Sequence, residues 1–214
     1  MAKSSAPARK ARGTYHHGDL PAALVAATFE LIGERGVNGF SVAEAARRTG
    51  VSISAPYRHF ADRDELLAAC ATAALGAIRE DFEAALAAHD SPADQLATAI
   101  SAYVRFAAEQ RPMFESIFAT GLDKTRYPAL EEAGAAALSA LSAPAVALAP
   151  SDDPAAAEVL IQALTSLAQG HATMLLDGYF GEPPEAIDAA AERAAGATRA
   201  LLRGRSLLYS QPAR

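Results

Sequence analysis

The chain has 214 residues, about half of them apolar, with no tryptophan, one cysteine and a formal charge of -6. Alanine and leucine dominate and β-branched runs are scarce, so the sequence excludes a disordered chain and points to an all-α fold with one or two helical domains. No apolar stretch attains the roughly 18 uninterrupted residues of a membrane span, the N-terminus lacks the apolar segment of a secretory signal, and the lone Cys70 has no internal disulfide partner. The expectation is a cytoplasmic protein with no membrane association.

Residues 1–60 hold eight Lys and Arg against four Asp and Glu, a balance of +4, whereas the remainder holds eleven against twenty-one, a balance of -10. Residues 1–17 read as a flexible basic arm, with Lys3, Arg9, Lys10 and Arg12 among small residues and no apolar pattern. Such an arm either adds phosphate contacts or only solubilises. His16 and His17 are adjacent and would point apart, which argues against a metal site. Asp19 then caps a first helix, with Leu20, Leu24, Ala27 and Leu31 on one stripe and Val25, Phe29 and Ile32 beside it, and that helix stops near Gly36.

From Ser41 to Phe60 the sequence SVAEAARRTGVSISAPYRHF describes two short helices around a glycine turn. Ser41 and Glu44 form a capping box, Val42, Ala45 and Ala46 follow at helical spacing, Gly50 occupies a left-handed C-cap, and Ser52 caps a second helix. This is the pattern of a helix-turn-helix. Pro56 falls near the fourth position of the second helix and removes the N–H that would reach the Ser52 carbonyl, so a short or tightened helix is expected. Asp62 and Glu65 cap the next helix, expected to run from residue 63 to about 88.

The run GVSISAPYRHF followed by ADRDELL resembles the signature of the tetracycline-repressor (TetR) family of one-component transcriptional regulators, a likeness that spans roughly residues 14–70. The resemblance implies a DNA-binding domain over 18–62, a connecting helix over 63–90 and a helical effector-binding and dimerisation domain over 91–214. It implies DNA contacts from Ser52, Ser54 and Ala55 at the start of the recognition helix and from Tyr57 and His59 on its exposed side. Arg63, at a helix N-terminus, and Ser41 and Arg48 are the phosphate contacts it suggests, although Arg47 and Arg48 read equally well as solvated surface. Ile53 either touches a thymine methyl or fills the headpiece.

Beyond Ser91, Pro and Gly punctuate helices expected near 92–109, 112–119, 127–142, 154–179 and 185–206, with SAPAVALAPSDDP as a linker. In the last two helices, Leu160, Leu164, Leu167, His171 and Leu175 form an apolar stripe, Ala163, Ser166 and Gly170 a small-residue stripe, and Ile187, Ala191, Ala194, Thr198 and Leu201 a third. Paired between two chains they would make the four-helix homodimer interface usual in the family; the alternative is intrachain core. The resemblance further implies an effector pocket, for which Tyr103, Phe106, Met113, Phe114, Ile117, Phe118, His171 and Met174 are the candidates. Such a lining would suit a small hydrophobic or aromatic effector, while aromatics at this spacing are more often core. There is no HExxH, GxxxxGK[ST] or cysteine pair, so no catalytic group, metal or cofactor is expected. The function implied is a ligand-responsive repressor that binds a palindromic operator as a homodimer. A helical carrier or an enzyme with a vestigial headpiece is the alternative.

Overall fold

A computed structural model describes residues 19–119, 122–150 and 154–209, and among them every regular element is helical. The basic arm over 1–17, with His16 and His17, and residues 151–153 of the SAPAVALAPSDDP stretch lie outside the described residues.

Helix α1 (Leu20–Arg35) begins where the Asp19 carboxylate accepts the Ala22 N–H at 3.1 Å and ends at Gly36, whose φ of 74° only glycine adopts freely. Helix α2 (Val42–Arg48) starts at Ser41, whose hydroxyl accepts the Glu44 N–H at 3.3 Å. The Glu44 carboxylate was expected to return to the Ser41 backbone. It takes the Ser41 hydroxyl and the Arg35 guanidinium instead, pinning the two helices together. At the other end the Val51 N–H bonds the Ala46 carbonyl and the Gly50 N–H that of Arg47, with Gly50 at φ 73°, the Schellman closure that the glycine predicted.

Helix α3 (Arg63–Ala87) is capped by Asp62, which accepts the Glu65 N–H at 2.8 Å, while Glu65 accepts the Ala61 N–H. It is more than a connector. Its first turns place Leu66 and Leu67 in the headpiece core with Leu24, Leu31, Ile32, Phe40, Val42 and Phe60. Its second half places Ala74, Ile78, Phe82 and Ala85 in the larger core.

That larger core is organised around α4 (Pro92–Glu109), which buries Leu96, Ile100, Val104 and Phe106. Helix α9 (Glu185–Arg203) packs against α4 along small residues, Ala190, Ala191 and Ala194 lying in the same cluster as buried Ala99 and Ile100. Arg199 meets Asp94 at 3.0 Å and Arg105 meets Asp188 at 2.5 Å, so an ion pair at each end sets the two helices antiparallel. Helices α5 (Arg111–Ile117), α6 (Pro128–Ser139) and α8 (Pro154–Leu176) complete the shell.

Two expectations change here. The stretch from Ser142 onward is not a linker, because Ser142–Leu148 forms helix α7, packed on α4 and α8 with Pro144 and Ala145 buried. Pro144 is tolerated at the third position, where its missing N–H has no intrahelical partner to lose. The last segment also breaks at Gly204 into a short helix α10 (Ser206–Tyr209).

Candidate nucleic-acid interface

After Val51 the chain turns once and then forms a single 3-10 turn, Pro56–Arg58, in place of a regular recognition helix. Pro56 explains the tightening. It cannot donate to Ser52, and the Ala55 N–H takes the Ser52 carbonyl at 3.0 Å instead; Arg58 and His59 then donate three residues back, to Ala55 and Pro56. Pro56 and Phe60 are buried and anchor this recognition turn, while Ser52, Ser54, Arg58 and His59 are exposed and Ile53 and Tyr57 expose 54% and 52% of their surface. Ile53 thereby leaves the headpiece core for the exposed face. Ser52 and Ser54 share a hydrogen bond of 3.2 Å, and Ala55 is half-buried.

The predicted phosphate contacts divide. Ser41 is exposed at the N-terminus of α2. Arg48 is committed elsewhere: its guanidinium meets Glu30 at 3.2 Å and Glu34 at 2.8 Å, tying α2 to α1 and holding the Glu34 carboxyl below the usual carboxylate range. Arg63 is likewise folded inward. It donates to the carbonyls of Val37 at 2.5 Å and Phe40 at 3.4 Å, lies 4.3 Å from the Phe40 ring centroid, and has Asp64 at 3.5 Å. Its position at a helix N-terminus suggested a phosphate contact; in this structure two carbonyls and an aromatic face in the loop before α2 hold it. Arg58, which sequence reasoning passed over, stands exposed between Tyr57 and His59 with no hydrogen bond, ion pair or ring contact from its side chain to a described residue.

The eight effector candidates do not form one site. Tyr103, Phe114 and Phe118 make a chain of ring contacts at 5.7 and 5.0 Å, with Phe82 at 6.4 Å from Tyr103, and Phe106, Met113 and Ile117 belong to the same apolar cluster. Within it the Tyr103 hydroxyl donates to Gln169 Oε1 at 2.6 Å, and burial pushes its phenol upward. His171 lies apart, stacked on Phe180 at 6.2 Å, with Arg193 on the same ring. Met174 is 42% exposed on the far face of α8. A cleft of about 250 Å³ between the end of α7 and α10, lined by Leu148, Pro150, Arg203, Arg205, Ser206 and Tyr209, contains none of the eight. Cys70 is buried and its thiol is raised to about 12 by desolvation, which leaves it unreactive near neutral pH. No group of three or more His, Cys, Asp or Glu among the described residues is arranged to hold a metal.

The family model for bacterial regulatory proteins of the TetR family matches residues 24–70, and that for the tetracycline-repressor-like C-terminal domain matches residues 96–198. The chain belongs to the TetR family. An HTH-type transcriptional regulator BetI from Rhizobium meliloti (strain 1021) is 34% identical over 88 residues, a match that covers 41% of this chain and 42% of that relative. Among solved structures, a protein of unknown function from Rhodococcus sp. RHA1 superposes with a TM-score of 0.70 at 27% identity, covering 90% of this chain and 98% of that one. A TetR family regulator, PfmR from Thermus thermophilus, shares the fold at 21% identity and a TM-score of 0.59, covering 84% of this chain and 96% of that one. The headpiece and the helical domain are thus the two parts of a TetR-family regulator, and the recognition turn is its helix-turn-helix surface.

Proposed function

We propose that the protein is a cytoplasmic, ligand-responsive repressor that binds a near-palindromic operator as a homodimer, without enzymatic activity of its own. The observation that carries the DNA contact is the recognition turn, where Ser52, Ile53, Ser54, Tyr57, Arg58 and His59 stand exposed above buried Pro56 and Phe60. Serine, tyrosine and histidine reach phosphates and base edges there, and Ile53 offers an apolar contact to a thymine methyl.

The homodimer reading is supported by α8. Its apolar stretch, of mean hydropathy 1.2, is long enough to span a membrane, yet only 28% of it is buried within the chain. The stripe of Leu160, Leu164 and Leu175 faces the intrachain core, so it is the opposite face that awaits a partner. Val159, Ala163, Ser166, Gly170 and Met174 follow one another there at intervals of three and four residues, and the small ones permit close helix approach. On α9, Ala191, Ala194 and Thr198 are likewise intrachain core.

An effector would act by entering the Phe82, Tyr103, Phe114 and Phe118 cluster, where Gln169 supplies the polar group. That cluster is coupled to the headpiece through α5. A Cβ on Gly33 of α1 would meet Pro112 Cγ at 3.2 Å, and Ala119 is buried among headpiece residues. A ligand that favours a displaced α5 lowers operator affinity by no more than its preference for that state.

The test is a mobility-shift titration against the DNA immediately upstream of the protein's own gene, with unrelated DNA as competitor. Specific shifting is expected, weakened in Tyr57→Ala and His59→Ala without loss of fold. Parental affinity in both variants would remove the recognition turn from the interface.

A further inference from the structure

Residues 61–214 are acidic on balance, with eleven Lys and Arg against twenty-one Asp and Glu. Arginines there find carboxylates readily: Arg79 meets Glu83, Arg105 meets Asp188, Arg111 meets Glu115 and Arg199 meets Asp94. Arg203 and Arg205 depart from that pattern. Both line the cleft of about 250 Å³ between the end of α7 and α10, and no lining residue is acidic. Arg203 is exposed at the end of α9, with no ion pair to a described residue. Arg205 donates its Nε–H to the Leu148 carbonyl at 2.7 Å and an Nη1 N–H to the Leu202 carbonyl at 2.8 Å, so it closes the C-terminal ends of α7 and α9. Those bonds fix the plane of the guanidinium and leave its Nη2 group without a partner among the described residues.

A third polar group of the cleft is unmet as well. Tyr209 lines it, and the Tyr209 hydroxyl is shielded from water without a hydrogen-bond partner among the described residues. A cation held in orientation by two carbonyls, a second cation with no ion pair beside it and a donor lacking an acceptor together make a receptor for an anion. Leu148 and Pro150 supply an apolar wall, so the cleft suits charge carried on an apolar body. Drug-sized ligands fill clefts of about 300–1,000 Å³, so the occupant is smaller than these. We propose that the cleft binds a small organic carboxylate, its charge between Arg203 and Arg205, one oxygen accepting from the Tyr209 hydroxyl and its body against Leu148 and Pro150. A purely structural role accounts for Arg205 and leaves the Tyr209 hydroxyl unmet. The site is separate from the Tyr103 cluster and independent of the DNA-binding reading.

The experiment titrates the isotope-labelled full chain with benzoate, with benzamide and with inorganic phosphate, following backbone amide and arginine Nε–H resonances. Benzoate is expected to shift residues 148–150 and 203–209 saturably. Benzamide, the same body without the charge, and phosphate, charge without the body, should each bind at least about fivefold more weakly. Arg203→Gln and Tyr209→Phe should each weaken benzoate by about fivefold, while Arg203→Lys keeps most of the affinity. Arg203→Gln should melt with the parent, and Tyr209→Phe no lower, because it removes an unmet hydroxyl. Equal affinity for benzamide or phosphate overturns the proposal, as does parental benzoate affinity in Arg203→Gln or Tyr209→Phe. Shifts centred on Tyr103 and Phe114 instead would put benzoate in the aromatic cluster and overturn it too. Asp152 and Asp153 follow Pro150 closely in sequence. Benzoate binding that emerges only in the double variant Asp152→Asn, Asp153→Asn would give the arginines to the chain's own carboxylates and likewise overturn the proposal.

Discussion

The two halves of this chain are held together by different physics. The headpiece has a small apolar core and surrounds it with directional contacts: the Asp19 and Asp62 caps, the Arg48 bracket between α1 and α2, and the Arg63 tie to the loop before α2. The C-terminal domain has a continuous apolar cluster through α3, α4, α5, α8 and α9, with the Tyr103–Gln169 hydrogen bond inside it and the two α4–α9 ion pairs on its rim. Hydrogen bonds fix orientation, whereas apolar packing fixes volume and tolerates rearrangement. A surface that must meet a rigid duplex is therefore built on the first principle, and a body that admits a ligand on the second.

The contrast predicts unequal costs for single substitutions. Leu164→Ala, which empties a fully buried position between α8 and its neighbours, should cost about 2–5 kcal/mol in denaturant unfolding. A cost under about 1 kcal/mol would mean that the domain collapses into the space, and so is more plastic than its packing indicates. Asp62→Ala removes the acceptor for the Glu65 N–H and should cost about 1 kcal/mol, read as a lower midpoint and as faster amide exchange in the first turn of α3. An Asp62→Ala cost equal to that of Leu164→Ala would erase the distinction between the halves.

The same contrast explains what was legible in the sequence. Caps and turns announce themselves locally, so Asp19, Ser41, Gly50 and Asp62 were placed from residue type and spacing, and each end lies where it was expected. Pro56 signalled a short or tightened helix; the chain there forms only a single 3-10 turn that starts after Ala55, so the cap expected at Ser52 opens no regular helix. Pairings across helices were not legible, because nothing near Arg48 in sequence announces Glu30 and Glu34, eighteen and fourteen residues earlier. That is why the tie of Arg48 to α1 was not read from the sequence. In the C-terminal domain an aromatic at helical spacing looks the same whether it lines a pocket or fills a core. His171 and Met174 share a helix with Gln169 yet point away from the Tyr103 cluster. The linker reading of residues 142–148 failed because Pro144 looks like a breaker until its place in a first turn is known.

The smallest effect separates the halves by sign rather than size. Hydrogen bonds from Arg48 and Arg35 hold the Glu34 and Glu44 carboxyls below their ordinary range. A lowered folded pKa means that the unfolded chain binds more protons, so this stability is complete above the ordinary glutamate value of about 4.3 and is lost as pH falls through the lowered one. Glu34 is exposed and Glu44 only half-buried at the surface, so each contribution is small. Asp81 on α3 behaves oppositely. Burial, then Glu109 of α4 and neighbouring Glu80, raise its carboxyl, and acid relieves that strain rather than creating it. Lowering pH from about 5 to about 3.5 should therefore loosen the α1–α2 brace before the α3–α4 packing, visible as an earlier fall in rate-corrected amide protection over residues 24–48 than over 96–107. Loss of protection over 96–107 first would place the acid-sensitive contacts in the C-terminal domain and invert the comparison.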